Sequence, residues 1–141
     1  MTRDETVAFF ERRRQAWEAN DIETLVEGHA EDGDVTSPMV GQVRGRESIA
    51  ASYNSIFRAL SDQHFTFEPL LIDGDRIALP FTATVTHSGD FMGVPGTGRR
   101  AQFHGVLLYE MANGLIAHEQ RVYDFTSLLI QIGVLRAKPA K

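Results

Sequence analysis

The chain is predicted to be an α+β domain, with helices first and an antiparallel sheet second. Three observations carry this. Apolar residues recur at helical spacing as far as Leu60. From His64 onward the period falls from about 3.6 to 2, the change from helix to sheet. Two turn signals, Asp73-Gly74-Asp75 and Asn113-Gly114, each separate a pair of alternating runs.

Residues 4–19 read as an amphipathic helix with Val7, Phe10, Arg14 and Trp17 on one stripe and Thr2 or Asp4 at its cap. Asn20-Asp21 breaks it and caps a second helix, 22–30, whose Ile22, Leu25 and Val26 face inward. The acidic run 31–34 ends that helix, 35–37 is a short strand, and 41–45 is a loop. A third helix spans 46–60 along Ile49, Tyr53, Ile56, Phe57 and Leu60. Strands follow at 64–71 and 77–86, the second carrying Pro80 as a bulge or edge marker. Residues 88–100, with four glycines and a proline before Arg99, form a connection. A last hairpin pairs 100–111 with 115–125, and a closing helix spans 128–135. Strand 101–111 is apolar on both parities, with Phe103, Leu107 and Tyr109 on one and Val106 and Leu108 on the other. Helices cover only one face of such a sheet, so a second copy of the chain is the expected cover for the other, giving a homodimer through the sheet face.

At 141 residues the chain fits one domain, 1–136, with a loose tail at 137–141. It is 43% hydrophobic and 23% charged, with a formal net charge of −5, the balance of a soluble globular protein. There is no basic stripe for nucleic acid. No apolar run approaches a membrane span and residues 1–14 are charged throughout, so the expected location is cytoplasmic. The chain has no cysteine, which removes disulfides and thiolate chemistry. Its five histidines show no metal-ligand spacing, and no metal is expected. The glycines at 93–98 lack the Lys-Ser/Thr of a phosphate loop.

Two segments carry a family resemblance. Thr86-His87-Ser88-Gly89, followed by Phe91-Met92-Gly93-Val94-Pro95-Gly96-Thr97-Gly98-Arg99, resembles the T-H-x-G-x-F-x-G-x-x-x-T-G-R segment of SnoaL-like polyketide cyclases. Asp124, Leu128 and Gln131-Ile132-Gly133-Val134 resemble that family's D-x-x-x-L-x-x-Q-L-G-V ending. The resemblance covers residues 17–134 and implies an NTF2-like cone: three N-terminal helices on a curved antiparallel sheet of four to five strands, with a short C-terminal helix. It also implies a reaction, the cofactor-free intramolecular aldol closure of a polyketide-like ester, with an aspartate at the position of Asp124 as general acid/base. The implied ligand is a small, mostly apolar carbonyl compound. A non-catalytic ligand-binding dimer on the same fold is the alternative.

An enolising base and an oxyanion donor are the parts such chemistry needs. Asp124 has two readings. Burial between Tyr123 and Phe125 would raise its pKa and suit it to proton transfer; as an ordinary aspartate before a helix it is an N-cap. His104 is its candidate partner. A three-residue loop at 112–114 would set even positions opposite even, so that His104 and Asp124 share a face. A two-residue turn at Asn113-Gly114 would set Asp124 with Phe103 and Gly105. Candidate substrate-binding residues are Gln120, where many family members carry Trp, together with Trp17, Tyr53, His87 and Arg121. Trp17 and Tyr53 are core residues that line the pocket if the fold is a cone. His87 has a second, structural reading in its loop, and Arg121 a second reading as an ion-pair partner of Glu119 or Asp32. Two relatives on the same fold are disfavoured. Ketosteroid isomerases place their base where this chain has Ser37 and a second aspartate near Val106. Limonene epoxide hydrolases carry a W-R-D run where this chain reads Gln120-Arg121-Val122.

Overall fold

In this computed structural model residues 1–136 and 138–140 are described. The expected tail at 137–141 includes Ala137 and Lys141, which lie outside the described residues. The helices are α1 (Arg3–Ala19), α2 (Ile22–Glu27), α3 (Arg46–Ala59) and α4 (Phe125–Gln131). The strands are β1 (His29–Ser37), β2 (Gly41–Arg44), β3 (Leu60–Phe67), β4 (Leu71–Asp73), β5 (Arg76–His87), β6 (Arg100–Ala112) and β7 (Leu115–Tyr123). None of the helices is long and apolar enough to cross a membrane.

Local chemistry accounts for the helix starts. The Thr2 hydroxyl accepts the Glu5 amide while the Glu5 carboxylate accepts the Thr2 amide, a capping box. Asp21 caps α2 by accepting from Thr24 N at 3.2 Å and from the Thr24 hydroxyl at 2.6 Å; the hydroxyl first and the amide second hold its carboxyl below the usual range. The inward stripe of α1 differs from the expected one. Thr6, Phe10, Arg13, Ala16 and Trp17 are buried, while Val7 is exposed. Arg14 lies on the surface between Glu11 and Glu18. The rotation is set by Arg13, which finds acceptors inside: Leu25 O at 2.8 Å and the Tyr53 hydroxyl at 3.0 Å.

The sheet is larger than expected, seven strands rather than four to five, in the order β2-β1-β7-β6-β5-β3 with β4 on β5. It is also mixed rather than wholly antiparallel, since β1 runs parallel to β7. The strands beyond the expected five are β2, from residues read above as a loop, and the short β4; β1 is the expected strand at 35–37 extended back to His29 through residues read as a helix end and an acidic run. β1 has no period-2 apolar pattern because its register shifts between His29 and Asp34, leaving Glu31 and Asp32 exposed within it. The four-residue β2 packs little and pairs only with β1. The closing helix begins three residues earlier than expected, directly after Asp124.

The β6–β7 hairpin answers the question of facing. Asn113 and Gly114 both have positive φ, 54° and 77°, and form the two-residue turn. A bulge at Ala117 then shifts the pairing by one, from Met111↔Ile116 to Glu110↔His118. Beyond the bulge even positions pair with even, up to Gly105↔Tyr123, and Asp124 N donates to His104 O at 3.1 Å. His104 and Asp124 therefore share a side of the hairpin, through a bulge rather than a longer loop. Odd residues of β6, and of β7 beyond the bulge, point toward the helices and even residues away from them; before the bulge it is Ile116 that is buried.

Candidate functional site

The helices and the curled sheet enclose a cone whose interior holds a small cavity of about 50 Å³. Its walls are mostly apolar: Trp17 from α1, Leu60 and Phe65 from β3, Phe81 from β5, Phe103 and Leu107 from β6, and Leu128 from α4. The polar side chains on it are Gln63, Arg121 and the phenol of Tyr123. Tyr123 is pushed up to about 12, by burial first, so it stays protonated at neutral pH. Gly105 makes room for this wall. A Cβ there would stand 2.5 Å from Val122 O, 2.7 Å from Tyr123 Cβ and 2.8 Å from Phe81 Cε1. As it stands the cavity holds one or two waters, each taking about 30 Å³. A larger guest must displace lining side chains, of which Met39, Ile56 and Gln63 are only partly buried.

Arg121 connects the cavity to a buried polar cluster. Its Nε donates to Glu119 Oε2 at 2.6 Å, and its guanidinium lies 4.7 Å from the Tyr53 ring centroid and 5.8 Å from that of Trp17. Behind it, Glu119 Oε1 lies 3.8 Å from Arg13 Nη2 and 3.5 Å from His29 Nε2, which in turn meets the Tyr53 hydroxyl at 2.9 Å. All of these side chains are buried. Burial alone would raise the Glu119 pKa, but Arg121, His29 and Arg13 outweigh it and hold the carboxyl below its usual range. Burial lowers His29 to about 3, so at neutral pH this imidazole is uncharged and the two arginines act on Glu119. Burial also pushes the Tyr53 and Tyr109 phenols up. Among the described residues, Nη1 and Nη2 of Arg121 are buried without a hydrogen-bond partner.

The candidates from the sequence separate by face. Trp17 and Arg121 line the cavity, and Tyr53 supports Arg121 from behind. Arg121 is the ion-pair partner of Glu119 and also lies on the cavity wall. Gln120 is exposed on the outer side of β7, so the expected polar pocket wall at this position is not inside the cone. His104 is exposed on the outer side of β6, with Nδ1 3.0 Å from Thr82 Oγ1. Asp124 is exposed, contrary to the burial expected between Tyr123 and Phe125, and its Oδ1 accepts from Ser127 N at 3.0 Å as the cap of α4. His87 is buried and fastens the connection after β5, its Nδ1 meeting both the amide and the hydroxyl of Thr97. Among the described residues no three His, Asp or Glu side chains converge to hold a metal ion.

The family model described as SnoaL-like polyketide cyclase matches residues 8–132. The chain belongs to the SnoaL-like polyketide cyclase family. Solved structures agree on its NTF2-like α+β fold. IdmH of Streptomyces antibioticus, a candidate polyketide cyclase, is 27% identical with a TM-score of 0.74, over 90% of this chain and 97% of that one. AclR of Streptomyces galilaeus, a candidate hydroxylase, is 25% identical with a TM-score of 0.83, over 98% and 91%. A candidate SnoaL-like cyclase of Jannaschia sp. CCS1 shares the fold at 21% identity and a TM-score of 0.85, over 96% and 94%. No functionally curated protein sequence matches the chain.

Within this SnoaL-like cone, Arg13 and His29 are the site residues that sequence reasoning missed. Arg13 looked like an ordinary surface charge, and His29 sat in a segment read as helix. Glu119 was named only as one of two ion-pair partners for Arg121. Its inward direction follows from the bulge at Ala117, which puts the odd positions Glu119 and Arg121 on the same side as Ile116 and which no local pattern marks.

Proposed function

We propose that the chain is a cofactor-free enzyme of the cyclase/isomerase kind, acting on a small, mostly apolar carbonyl compound that enters the cone cavity. The observation that carries this is the Arg121 guanidinium: it is buried and braced by Glu119, it belongs to a residue that lines an apolar cavity, and its Nη1 and Nη2 have no partner among the described residues. Fixed donors in a dry site stabilise charge that develops on oxygen as a neighbouring C–H bond ionises. In an aldol closure the resulting carbanion attacks a second carbonyl, a C–C bond forms, and the new alkoxide takes up a proton. The C–H bonds between two carbonyls of a polyketide-like ester are acidic enough for water or the substrate's own oxygen to accept that proton. The family resemblance implies Asp124 as the acid/base, and His104 is the partner read for it from the sequence; the cap bond to Ser127 N and the outer-face position favour the arginine-centred version. Family membership and the 27% identity to a candidate cyclase support the reaction class.

A second reading, a non-catalytic binder of the same ligands, is favoured by one observation. Among the described residues lining the cavity there is no carboxylate and no imidazole. Turnover separates the two. With a poly-β-ketone ester that can close a six-membered ring, Arg121→Gln is expected to lose on the order of 100-fold in rate, the usual loss for one oxyanion donor. Binding without ring closure by the unaltered protein would leave the binder reading in place of the enzyme.

We also propose that two copies pair through the outer sheet face. Leu108 and Val122 are exposed there, and a groove of about 720 Å³ runs beside them past Leu71 and Ile72. Sedimentation at the mass of one chain across micromolar concentrations would rule this out.

A further inference from the structure

The buried cluster behind the cavity does not balance its own charge. Arg13 and Arg121 are buried and protonated, and Glu119 is the one carboxylate between them. His29 is neutral, and the Tyr53 and Tyr109 phenols keep their protons. The other cation nearby, Arg46, adds to the excess, because its guanidinium is spent on the His29 and Glu27 carbonyls. Two positive charges against one negative leave a surplus of one in a low-dielectric interior, where an unpaired ion costs several kcal/mol.

The unused hydrogen-bonding capacity lies at the same place. Arg13 directs Nη1 to Leu25 O and Nη2 to the Tyr53 hydroxyl, while Arg121 spends only Nε. Arg13 Nε, His29 Nδ1, the Tyr109 hydroxyl and Glu119 Oε1 also lack hydrogen-bond partners among the described residues, but of all these residues only Arg121 lines the cavity. The Nη1 and Nη2 pair of Arg121 is the free half of a planar fork, the geometry that takes an oxyanion through two parallel bonds. A water or a neutral carbonyl would accept these hydrogen bonds and leave the surplus charge where it is. An anion removes both deficits together.

We propose that the ligand of the cone is bound as an oxyanion, a carboxylate or an enolate on an otherwise apolar body, with its negative oxygens on the Arg121 fork. This rests on the cavity being the binding site. It narrows the substrate class from carbonyl compounds in general to those that are ionised when bound, and it gives Arg121 the further task of lowering the pKa of a bound enol.

Trp17 is the one tryptophan of the chain and lines the cavity, so its fluorescence reports occupancy directly. The test titrates the full chain at pH 7.5 and physiological salt with two matched pairs. One pair is benzoate and benzamide; the other is the enolate of 1,3-cyclohexanedione and its 2,2-dimethyl derivative, which has no C–H between its carbonyls and stays neutral at this pH. The anion of at least one pair is expected to perturb Trp17 and to bind at least about tenfold more tightly than its neutral match, as charge-assisted hydrogen bonds imply. Which pair shows the preference distinguishes carboxylate from enolate. Arg121→Gln, which leaves Arg13 and Glu119 balanced, is expected to bring the ratio close to one, and Arg121→Lys to keep part of it. Should Arg121→Gln fail to fold, the wild-type ratio and the lysine variant still decide. Equal binding of anion and neutral match, with Trp17 responding, overturns the oxyanion proposal and leaves the cavity as the site. Anion binding that leaves Trp17 unchanged, or that survives Arg121→Gln undiminished, overturns it as adventitious surface binding. Failure of every probe to perturb Trp17 removes the cavity as the site, and the proposal with it.

Discussion

The inner face of the β6–β7 hairpin carries Phe103, Leu107, Tyr109, Glu119, Arg121 and Tyr123; the outer face carries Gln102, His104, Leu108, Gln120, Val122 and Asp124. Both faces hold groups able to do chemistry, but their surroundings differ. The outer groups are exposed; His104 meets Thr82 and Asp124 accepts from the amide of Ser127. The inner groups are buried and partnered mainly with one another, with several polar atoms left over, among them Nη1 and Nη2 of Arg121. Low dielectric makes a paired charge strong and an unpaired one costly. The same residue types therefore have little effect on one side of the hairpin and decide charge, stability and binding on the other. A single bulged residue, Ala117, assigns them to their sides.

The sharpest way to expose this difference is to change neighbours on opposite faces. Glu119→Ala leaves Arg13 and Arg121 buried without a counter-charge and is expected to cost about 3–5 kcal/mol of folding stability. Gln120→Ala, one residue away and facing out, is expected to stay within about 0.5 kcal/mol of the unaltered chain. Urea melts of the two variants measure the contrast. Equal losses would mean that burial does not separate the two faces in the way described.

A pH titration of stability tests the inner face without mutation. Burial lowers the His29 pKa from 6.5 to about 3. Between those values the unfolded chain takes up a proton that the folded chain refuses. The contribution is therefore zero above pH 6.5, and stability falls as pH drops through the window, by at most about 1.4 kcal/mol per pH unit. Glu119 moves the other way relative to its usual value: its pKa is lowered by folding, so its stabilisation is lost only below about pH 4.5, where the unfolded chain begins to protonate. The interval from pH 6.5 to 4.5 thus isolates the histidine. His29→Gln is expected to flatten the slope there while lowering stability overall. A slope unchanged by that substitution would move the acid sensitivity to another group.

The helices and the long hairpins were legible in the sequence because each has a strong local signature. Phe10 and Trp17, Ile49 and Tyr53, and the alternating run from Ile77 to Val85 are set by period alone, and Asn113-Gly114 by turn chemistry. The part of β1 before the expected strand at 35–37, and the whole of β2, lacked such a signature. β1 is interrupted by its own irregularity, and β2 depends wholly on β1 for pairing. The site divides in the same way. Trp17, Tyr53 and Arg121 were accessible because apolar stripes and a charge inside an apolar strand are visible locally. Arg13 and His29 were not, because what brings each of them to the site is a partner reached through tertiary packing. The family resemblance marked Asp124, and it cannot report which way a side chain at the strand end turns.

That side chain supplies the smallest expected effect and the closest test of the two faces. Asp124 begins α4 by accepting the Ser127 amide, so Asp124→Ala is expected to cost about 1 kcal/mol, the usual value of an N-cap. Asn ranks with Asp at this position and keeps an oxygen that accepts the same amide, so Asp124→Asn is expected to melt within a few tenths of a kcal/mol of the unaltered chain. What it removes is the ability to exchange a proton. If the outer face is structural, this variant turns over a cyclisable substrate at nearly the original rate. Loss of a general acid/base instead costs about 100-fold or more. A loss of that size, at unchanged stability and unchanged Trp17 response to ligand, would require the carboxylate to leave Ser127 and reach the substrate. The division between the two faces would then be a property of the empty cone only, with α4 as the element that moves when the cone is filled.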